Sequence, residues 1–312
     1  MSAMVWALAA ALAIVEPVAS EVTSPGPQGP LAGTMLAAGK GTPVILFIPG
    51  SGPTDRDGNN PLGVKAATYR LLAEGLGVRG VSSVRIDKRG MFGSKAAIAD
   101  ANKVTIADYV ADTRNWVTAI RRRAGAKCVW LLGHSEGGLI ALTAAQQPKV
   151  ICGVIVVAAV GRRIGDVMRE QLRANPANAP ILEAALGAID SLEQGKRVDT
   201  AKLPPPLGAL FNEAAQPFLI ELLAEDPAGL AASLKVPLLI VQGDRDIQVT
   251  VEDARTLAAA QPKAKLAILP GVNHVLKIPA RDDRAANLAA YADPSLPLAP
   301  SVVNAIVHFV KR

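Results

Sequence analysis

Short apolar runs alternate with longer segments of helical periodicity along most of the chain. The apolar runs have the length and the Val, Ile and Leu content of buried strands; they lie near 44-48, 81-86, 129-133, 151-158, 236-242 and 265-269. Helical patterns lie near 66-77, 106-124, 136-147, 254-260 and 302-311. Because such alternation is typical of parallel βαβ units, it predicts an α/β protein with a mostly parallel central sheet and helices on both faces.

The segment 161-233 interrupts this alternation with a helical pattern that several prolines break. An insertion between strands at the active edge of a sheet is typical of a helical cap, which shapes a pocket and excludes water. We therefore expect a core formed by 21-160 and 234-312 and a cap formed by 161-233. Its large apolar residues either line the pocket or form the core of the cap: Leu207, Leu210, Phe211, Phe218, Leu222 and Leu223.

The pentad Gly133-His134-Ser135-Glu136-Gly137 joins a predicted strand to a predicted helix. A G-x-S-x-G sequence in this setting resembles the nucleophile elbow of α/β-hydrolases, in which the serine occupies a strained turn with its Oγ exposed. The glycines avoid a clash between side chains two residues from the serine. We interpret Ser135 as a nucleophile; the alternative is an ordinary turn in which Ser135 caps the helix.

A nucleophilic serine needs a base, and the chain contains three histidines. His134 is adjacent to the serine, and we expect it to pack beside the elbow. His308 lies in an apolar terminal helix, where we expect a packing or surface role. His274 lies in a loop directly after the strand predicted at 265-269, and open α/β sheets place their chemistry in such loops. Elimination assigns the base to His274.

The acid that orients this histidine is expected after the strand predicted at 236-242. That strand leads into Gly243-Asp244-Arg245-Asp246, and either aspartate fits the order Ser, Asp, His that α/β-hydrolases follow. In α/β-hydrolases the acid usually occupies the last position of a G-x-x-D turn, and this resemblance assigns the role to Asp246. Asp244 would then hold its own turn or pair with Arg245.

Two backbone N–H groups are expected to form an oxyanion hole. One belongs to Glu136, the residue after the nucleophile. The other is expected in the loop after the strand at 44-48, where small residues let the main chain approach a substrate closely. We assign it to Ser51, with Gly52 as the alternative. A phosphate-binding loop is not expected here, because neither G-K-[ST] nor G-x-G-x-x-G is present.

Residues 50-59 read G-S-G-P-T-D-R-D-G-N, which resembles a signature of a bacterial group of serine carboxylesterases among the serine-aminopeptidase-like hydrolases. The segments 85-90, 271-277 and 291-300 also resemble that group, with Val272 where it has methionine. The resemblance covers the chain from Leu31 to the C-terminus. It implies an α/β-hydrolase fold and hydrolysis of short acyl esters. We expect Asp55, Arg56 and Asp57 to brace this loop through internal hydrogen bonds.

The first residues of the chain suggest export. Residues 2-15 are uncharged and rich in Ala, Leu and Val, and Val18-Ala19-Ser20 offers the small residues that a signal peptidase recognises. The apolar run is short for a transmembrane helix. We expect residues 1-20 to be a signal peptide and the protein to be secreted or periplasmic, otherwise cytoplasmic. No stable membrane span is expected after removal of the signal.

The charge and the cysteines add two expectations. The net charge is +6, but the dense basic run at 121-123 falls at the end of a predicted helix, where cations are favourable; we therefore expect no nucleic-acid partner. Cys128 and Cys152 open consecutive predicted strands. Export would permit a disulfide, but neighbouring strands often strain such a bridge, so we expect buried free thiols.

Together these patterns predict a serine hydrolase that cleaves small-molecule carboxylic esters through Ser135, His274 and Asp246. This chemistry requires no metal and no organic cofactor. A thioesterase, peptidase or acyltransferase would use the same residues with a different pocket. A ligand-binding protein on a hydrolase scaffold that has lost its activity is the alternative of another class. No feature of the sequence sets the oligomeric state.

Overall fold

The computed structural model describes residues 17–311, which are built around one eight-stranded sheet. In chain order, the strands are β1 (Val18–Ser24), β2 (Leu31–Ala37), β3 (Val44–Ile48), β4 (Ser82–Ile86), β5 (Val129–His134), β6 (Ile151–Val157), β7 (Leu238–Gly243) and β8 (Lys265–Leu269). Their order in the sheet is β1-β2-β4-β3-β5-β6-β7-β8. Strand β2 is antiparallel to both neighbours, and the remaining pairs are parallel. This confirms the predicted mostly parallel sheet.

Helices cover both faces of the sheet, as predicted. They are α1 (Thr68–Gly77), α2 (Ile106–Ala124), α3 (Glu136–Ala144), α4 (Ile164–Ala174), α5 (Leu182–Glu193), α6 (Pro205–Leu210), α7 (Gln216–Ala224), α8 (Pro227–Ala232), α9 (Val251–Ala260), α10 (Arg284–Ala289) and α11 (Pro300–Val310). Along β3, Ile45 and Phe47 pack with α1 and α11, whereas Leu46 and Ile48 pack with α2 and α3. Both faces of the strand are therefore buried, which explains why its sequence is a continuous apolar run.

Helices α4 to α8 occupy the segment between β6 and β7 where the cap was expected. Most of the large apolar residues considered for its pocket are instead buried within it or against the sheet: Leu207, Phe211, Leu222 and Leu223. Phe218 packs edge-on against Tyr109 of α2, with ring centroids 5.9 Å apart. Leu210 differs from these residues because it is 44% exposed.

Strands β1 and β2 were not predicted from the sequence. Gly33 interrupts the apolar pattern of β2, and a Cβ at this position would lie 2.9 Å from the ring of Trp116. Strand β1 includes Val18–Ser20, the end of the predicted signal peptide, while residues 1–16 lie outside the described residues. No helix between residues 17 and 311 is long and apolar enough to cross a bilayer.

The expectation of buried free thiols is wrong. Cys128 and Cys152 form a disulfide with a Cα–Cα distance of 5.2 Å, and both residues are half-buried. Cys128 precedes β5 by one residue, and the pairing of β5 with β6 shifts between Val129 and Trp130. Because Cys128 lies outside the regular strand pairing, that pairing does not restrict its approach to Cys152.

Candidate active site

Ser135 occupies the turn between β5 and α3 with φ 54° and ψ −124°. Residues other than glycine rarely adopt a positive φ, and such backbone strain often marks a functional position. A Cβ on Gly133 would collide with the main chain of Gly137, and a Cβ on Gly137 would collide with the main-chain carbonyl of Ile48 in β3. The two glycines therefore allow the turn to form and to pack against the neighbouring strand.

His274 and Asp246, which lie on loops after β8 and β7, meet at the carboxyl end of the sheet. His274 Nδ1 lies 2.8 Å from Asp246 Oδ2, and the carboxylate side chain is fully buried. Asp246 Oδ1 accepts hydrogen bonds from the main-chain N–H groups of Gln248 and Val249 at 2.8 and 3.0 Å. Gln242 Nε2 donates to Asp246 Oδ2 at 3.2 Å. The carboxylate is thus held in one orientation toward the histidine.

The protonation of this pair follows from its surroundings. Burial raises the pKa of Asp246, but the charge of His274, its hydrogen bond and the two main-chain donors outweigh burial and lower the pKa below its ordinary value. An ionised Asp246 can only accept, so His274 Nδ1 carries the proton that joins them. In neutral His274, Nε2 is then an unprotonated acceptor, which is the form that a general base requires.

Asp244 does not contact the histidine side chain. Its Oδ1 accepts a hydrogen bond from the main-chain N–H of Gly271 at 2.7 Å and so braces the start of the histidine loop. This differs from both expected roles, because Arg245 pairs with Asp282 at 2.6 Å. Of the two aspartates in the turn, the structure brings Asp246 to His274.

Ser135, His274 and Ser51 line one cavity of about 150 Å³. Strands β3 and β5 are adjacent in the sheet, so the loop after β3 lies beside the elbow. The approach is close, since a Cβ on Gly50 would lie 3.2 Å from the Cβ of Ser135. Gly52, the alternative oxyanion donor, has φ 65° and is not among the lining residues. The arrangement therefore favours Ser51 over Gly52.

Hydrogen bonds hold the two peptides on either side of Gly50. Buried Lys88 donates from Nζ to the Gly50 carbonyl at 2.7 Å, and the N–H of Gly50 donates to the hydroxyl of Tyr69 at 3.0 Å. In a planar trans peptide the C=O and the following N–H point in opposite directions. Because Ser51 lines the cavity and Lys88 does not, this geometry directs the Ser51 N–H toward the cavity.

The second expected donor, the Glu136 N–H, lies at the first residue of α3. The first N–H groups of a helix have no intrahelical acceptor, and the helix dipole makes this end partly positive. Glu136 directly follows Ser135 in the chain, so its N–H is close to any group attached to the serine. The sequence and the helix start thus supply a donor suited to an anion at this position, although Glu136, like Gly52, is not among the residues that line the cavity.

Comparison with protein families agrees with the fold. Residues 45–290 match the sequence profile of the alpha/beta hydrolase family, which is more than half of the chain. The chain belongs to this family.

Relatives of this alpha/beta hydrolase include proteins named as esterases and lipases. Esterase EstD of Thermotoga maritima is 27% identical over 241 residues, which cover 75% of this chain and 54% of EstD. Lipase 3 of Moraxella sp. (strain TA144) is 27% identical over 215 residues, which cover 62% of this chain and 66% of the lipase. The chain thus spans about half to two thirds of the length of these relatives.

The solved structure of esterase Pf2001 from Pyrococcus furiosus superposes with a TM-score of 0.56 at 17% identity. The match covers 95% of this chain and 93% of that chain. At this level of identity, the likeness shows a common alpha/beta hydrolase fold and nothing finer.

His134 connects the two loops of this alpha/beta hydrolase site. Its Nε2 lies 2.9 Å from the main-chain carbonyl of His274, and its Nδ1 lies 3.0 Å from the hydroxyl of Tyr69. A carbonyl can only accept, so Nε2 donates and Nδ1 accepts from Tyr69. Burial, and then the charge of His274, lowers the pKa of His134 to about 3. A neutral histidine therefore links the loop of Gly50 to the loop of His274.

In the charged loop after β3, Asp55 forms the expected internal hydrogen bonds, whereas the side chains of Arg56 and Asp57 pair with residues outside the loop. Asp55 Oδ1 accepts from the main-chain N–H groups of Asp57 and Asn59, both at 2.8 Å. Arg56 bonds through Nε to Asp87 Oδ2 at 2.9 Å and pairs with Glu21 of β1. The three charged residues of the loop do not line the cavity of Ser135.

The helical insertion 161–233 contributes no residue to the lining of that cavity, as far as the described residues show. Helix α4 instead reaches the acid loop, where Gln171 Nε2 donates to the main-chain carbonyl of Gln248 at 2.7 Å. The expected cap thus borders the site at its side. Between residues 17 and 311, no group of three or more His, Cys, Asp or Glu side chains is arranged to hold a metal ion.

Sequence reasoning did not find the roles of Tyr69 and Lys88. Tyr69 lies at the start of α1 and has no motif around it, so its contact with His134 arises only from packing. Lys88 lies in the segment 85-90, which was noted for its resemblance to the carboxylesterase group. Its burial at 6% exposure is the signal that separates it from an ordinary surface lysine, and burial is not visible in the sequence.

Proposed function

We propose that this protein is a serine hydrolase that cleaves carboxylic esters with short acyl chains. Ser135 is the nucleophile, His274 the general base and acid, and Asp246 the residue that orients the histidine. The observation that carries the proposal is the 2.8 Å contact between His274 Nδ1 and buried Asp246, beside a serine held in a strained elbow. A packing histidine would not need a buried carboxylate with three further hydrogen-bond donors.

In the first step, Ser135 Oγ attacks the ester carbonyl while His274 Nε2 accepts the hydroxyl proton. The N–H groups of Ser51 and Glu136 stabilise the negative oxygen of the tetrahedral intermediate. His274 then donates the proton to the departing alcohol, which leaves an acyl group on Ser135. Water, deprotonated by His274, attacks this acyl group; the bond to Ser135 Oγ then breaks, His274 returns the proton to Oγ, and the carboxylic acid is released. No cofactor takes part in these steps.

The preference for short acyl chains is supported by the size of the cavity. Its volume of about 150 Å³ is below the range of roughly 300–1,000 Å³ that is typical of pockets for drug-sized ligands. The names of the relatives, an esterase and a lipase, support an ester as the substrate class. A small acyl group attached to Ser135 fits both observations.

A panel of substrates tests the proposal. We expect a fluorescent organophosphonate to label the wild-type protein and not Ser135→Ala, and kcat/KM to be highest for acetyl and butyryl esters. A thioester and an aminoacyl amide with matched acyl groups belong in the same panel. Preference for either of them would replace the ester assignment by thioesterase or peptidase activity. A protein that remains unlabelled would instead be a binding protein on this scaffold.

We also propose that the protein works in an oxidising compartment after export. The disulfide between Cys128 and Cys152 supports this proposal, because such bonds persist mainly in secreted and periplasmic proteins. The uncharged apolar segment at residues 2-15 supports it independently.

A further inference from the structure

A second cavity, here called the side cleft, adjoins the cavity of Ser135. Its volume is about 350 Å³, and it lies between the insertion helices α4 and α6, the acid loop and α10. Much of its wall is apolar, and the apolar lining residues include Met168, Leu172, Leu210, Ile247 and Leu288. The chemistry proposed above does not use the side cleft.

Two residues separate the side cleft from the cavity of Ser135. Gln248 and Tyr291 line both spaces, and Gln248 Nε2 donates a hydrogen bond to the Tyr291 hydroxyl at 3.0 Å. The same Gln248 contributes its main-chain N–H to Asp246. The side cleft therefore begins at the wall of the catalytic cavity.

The rim of the side cleft carries apolar side chains that contact water. Leu210 is 44% exposed and Leu288 is 48% exposed. Single exposed leucines are common on protein surfaces, but these two lie on different elements and border one apolar space. Covering them with an apolar ligand would remove both from water, which is favourable.

We propose that the side cleft binds the apolar alcohol portion of the ester, an inference that rests on the proposed esterase function. An ester has two arms, and the smaller cavity holds the short acyl group. When the C–O bond to the alcohol breaks, Ser135 Oγ keeps the acyl carbon and the alcohol departs with the proton from His274. The alcohol must leave before water attacks, so its binding region must open to solvent. The exposed rim of the side cleft meets this requirement.

The test uses acetate esters of graded alcohols, from methyl to hexyl, with the variant Leu210→Trp. The larger side chain fills the rim of the cleft and excludes part of the alcohol. Each methylene that stays in water lowers kcat/KM about fourfold, so excluding two gives a loss on the order of tenfold for hexyl acetate relative to methyl acetate. Leu266→Trp is the matched control, since Leu266 is 40% exposed on β8 outside the cleft.

Binding of the released product provides a second readout. We expect 1-hexanol to inhibit the wild-type enzyme competitively and to inhibit Leu210→Trp several-fold more weakly. Leu288→Trp, which fills the cleft from α10, should reproduce both effects if Leu210→Trp does not fold. Kinetics in which hexyl and methyl acetate respond equally to Leu210→Trp and Leu288→Trp would overturn the inference.

The substrate panel separates this inference from the proposed function. If the wild-type protein hydrolyses none of the acetates, the esterase function itself is rejected. Wild-type activity on acetates with no alcohol-dependent effect of Leu210→Trp would reject the side cleft alone. If instead a series of graded acyl esters of methanol responds to the variant and the alcohol series does not, the alcohol assignment is wrong.

Discussion

The imidazole of His134 donates a hydrogen bond to the main-chain carbonyl of His274, with His134 Nε2 and the oxygen 2.9 Å apart. The residue that precedes Ser135 in the chain thus holds the loop that carries His274. With Tyr69 on its other nitrogen, His134 ties the elbow, the loop of Gly50 and the histidine loop into one unit. The relative positions of Ser135, Gly50 and His274 then depend on a buried neutral side chain.

His134 should make folding stability depend on pH. Its pKa is about 3 in the folded protein against an ordinary value of 6.5 for histidine, mainly because of burial. The stability is therefore complete above pH about 6.5 and is lost as the pH falls toward 3, by up to about 1.4 kcal/mol per pH unit, because the unfolded chain takes up a proton that the folded chain does not. Urea unfolding of the wild-type protein and of His134→Gln between pH 7 and 4 measures this pH dependence of the free energy of unfolding.

His134→Gln is a suitable comparison because its amide can accept from Tyr69 and donate to the His274 carbonyl without titrating. The difference in unfolding free energy between the two proteins should shrink as the pH falls. A difference that stays constant from pH 7 to 4 would show that His134 does not titrate as inferred.

Asp246→Asn should reduce kcat by about 10²- to 10⁴-fold, because an amide favours the wrong imidazole tautomer and leaves His274 without its ionic partner. Asp244→Asn is the matched control, two residues away in the same turn, and should retain most activity, since the Asp244 side chain bonds to the main-chain N–H of Gly271 and not to His274. Thermal melting first checks that both variants are folded, and steady-state kinetics then compares their kcat values. The reverse ranking would place the acid at Asp244.

Lys88→Met should lower kcat with little change in KM. Lys88 fixes the Gly50 carbonyl at 2.7 Å, and the Ser51 N–H belongs to the same peptide. Direct loss of an oxyanion donor costs about 10²- to 10³-fold in kcat, so misorientation of one donor should cost on the order of tenfold. The affinity for a trifluoromethyl ketone, which mimics the tetrahedral intermediate, should fall in parallel.

Lys95→Met removes the same charge from an exposed position and controls for the change in net charge. Lys88→Met that lowers Tm but keeps the wild-type kcat and ketone affinity would assign Lys88 a structural role only.

Reducing the disulfide should cost stability and not activity. The bond joins residues 24 positions apart in sequence, and closing a loop of this size in the unfolded chain corresponds to about 3–4 kcal/mol. Cys128 and Cys152 lie near the amino ends of β5 and β6, opposite the carboxyl ends that carry the site. Dithiothreitol should therefore lower Tm while kcat/KM at 25 °C stays within about twofold.

The double variant Cys128→Ala/Cys152→Ala should have the Tm of the reduced wild-type protein, both with and without reductant. A wild-type protein whose Tm is insensitive to dithiothreitol, despite free thiols appearing in a thiol assay, would contradict the assignment of a stabilising bond.

Signal removal is expected to leave a chain that begins near Glu21. Glu21 then remains available for its ion pair with Arg56 and its hydrogen bond from Thr34 at 2.8 Å. N-terminal sequencing of protein secreted by the native host measures the start. Soluble cytoplasmic protein that retains Met1 or Ser2 would remove the export proposal and leave the enzymatic one intact.

The sequence by itself determined the parts of this protein that depend on local pattern. Apolar runs identified β3 to β8; those of the inner parallel strands are continuous because both of their faces are buried, whereas β8 lies at the edge of the sheet and is partly exposed. The pentad around Ser135 identified the elbow, since close packing of main chain against main chain demands glycine there. With three histidines in the chain, elimination reached His274. Strands β1 and β2 were not predicted, because Gly33 interrupts the apolar pattern of β2 and the start of β1 resembles the end of a signal peptide.

Tertiary structure decided the relationships between segments distant in sequence. Asp244 and Asp246 are chemically identical, and only the turn geometry brings Asp246 to His274. The hydrogen bonds of Lys88 and His134 join residues that are 38 and 140 positions from their partners, so no local pattern announces them. The disulfide and the side cleft likewise depend on how strands and helices meet. The packing of strands and helices sets the distances between these residues, and the order of residues along the chain does not contain those distances.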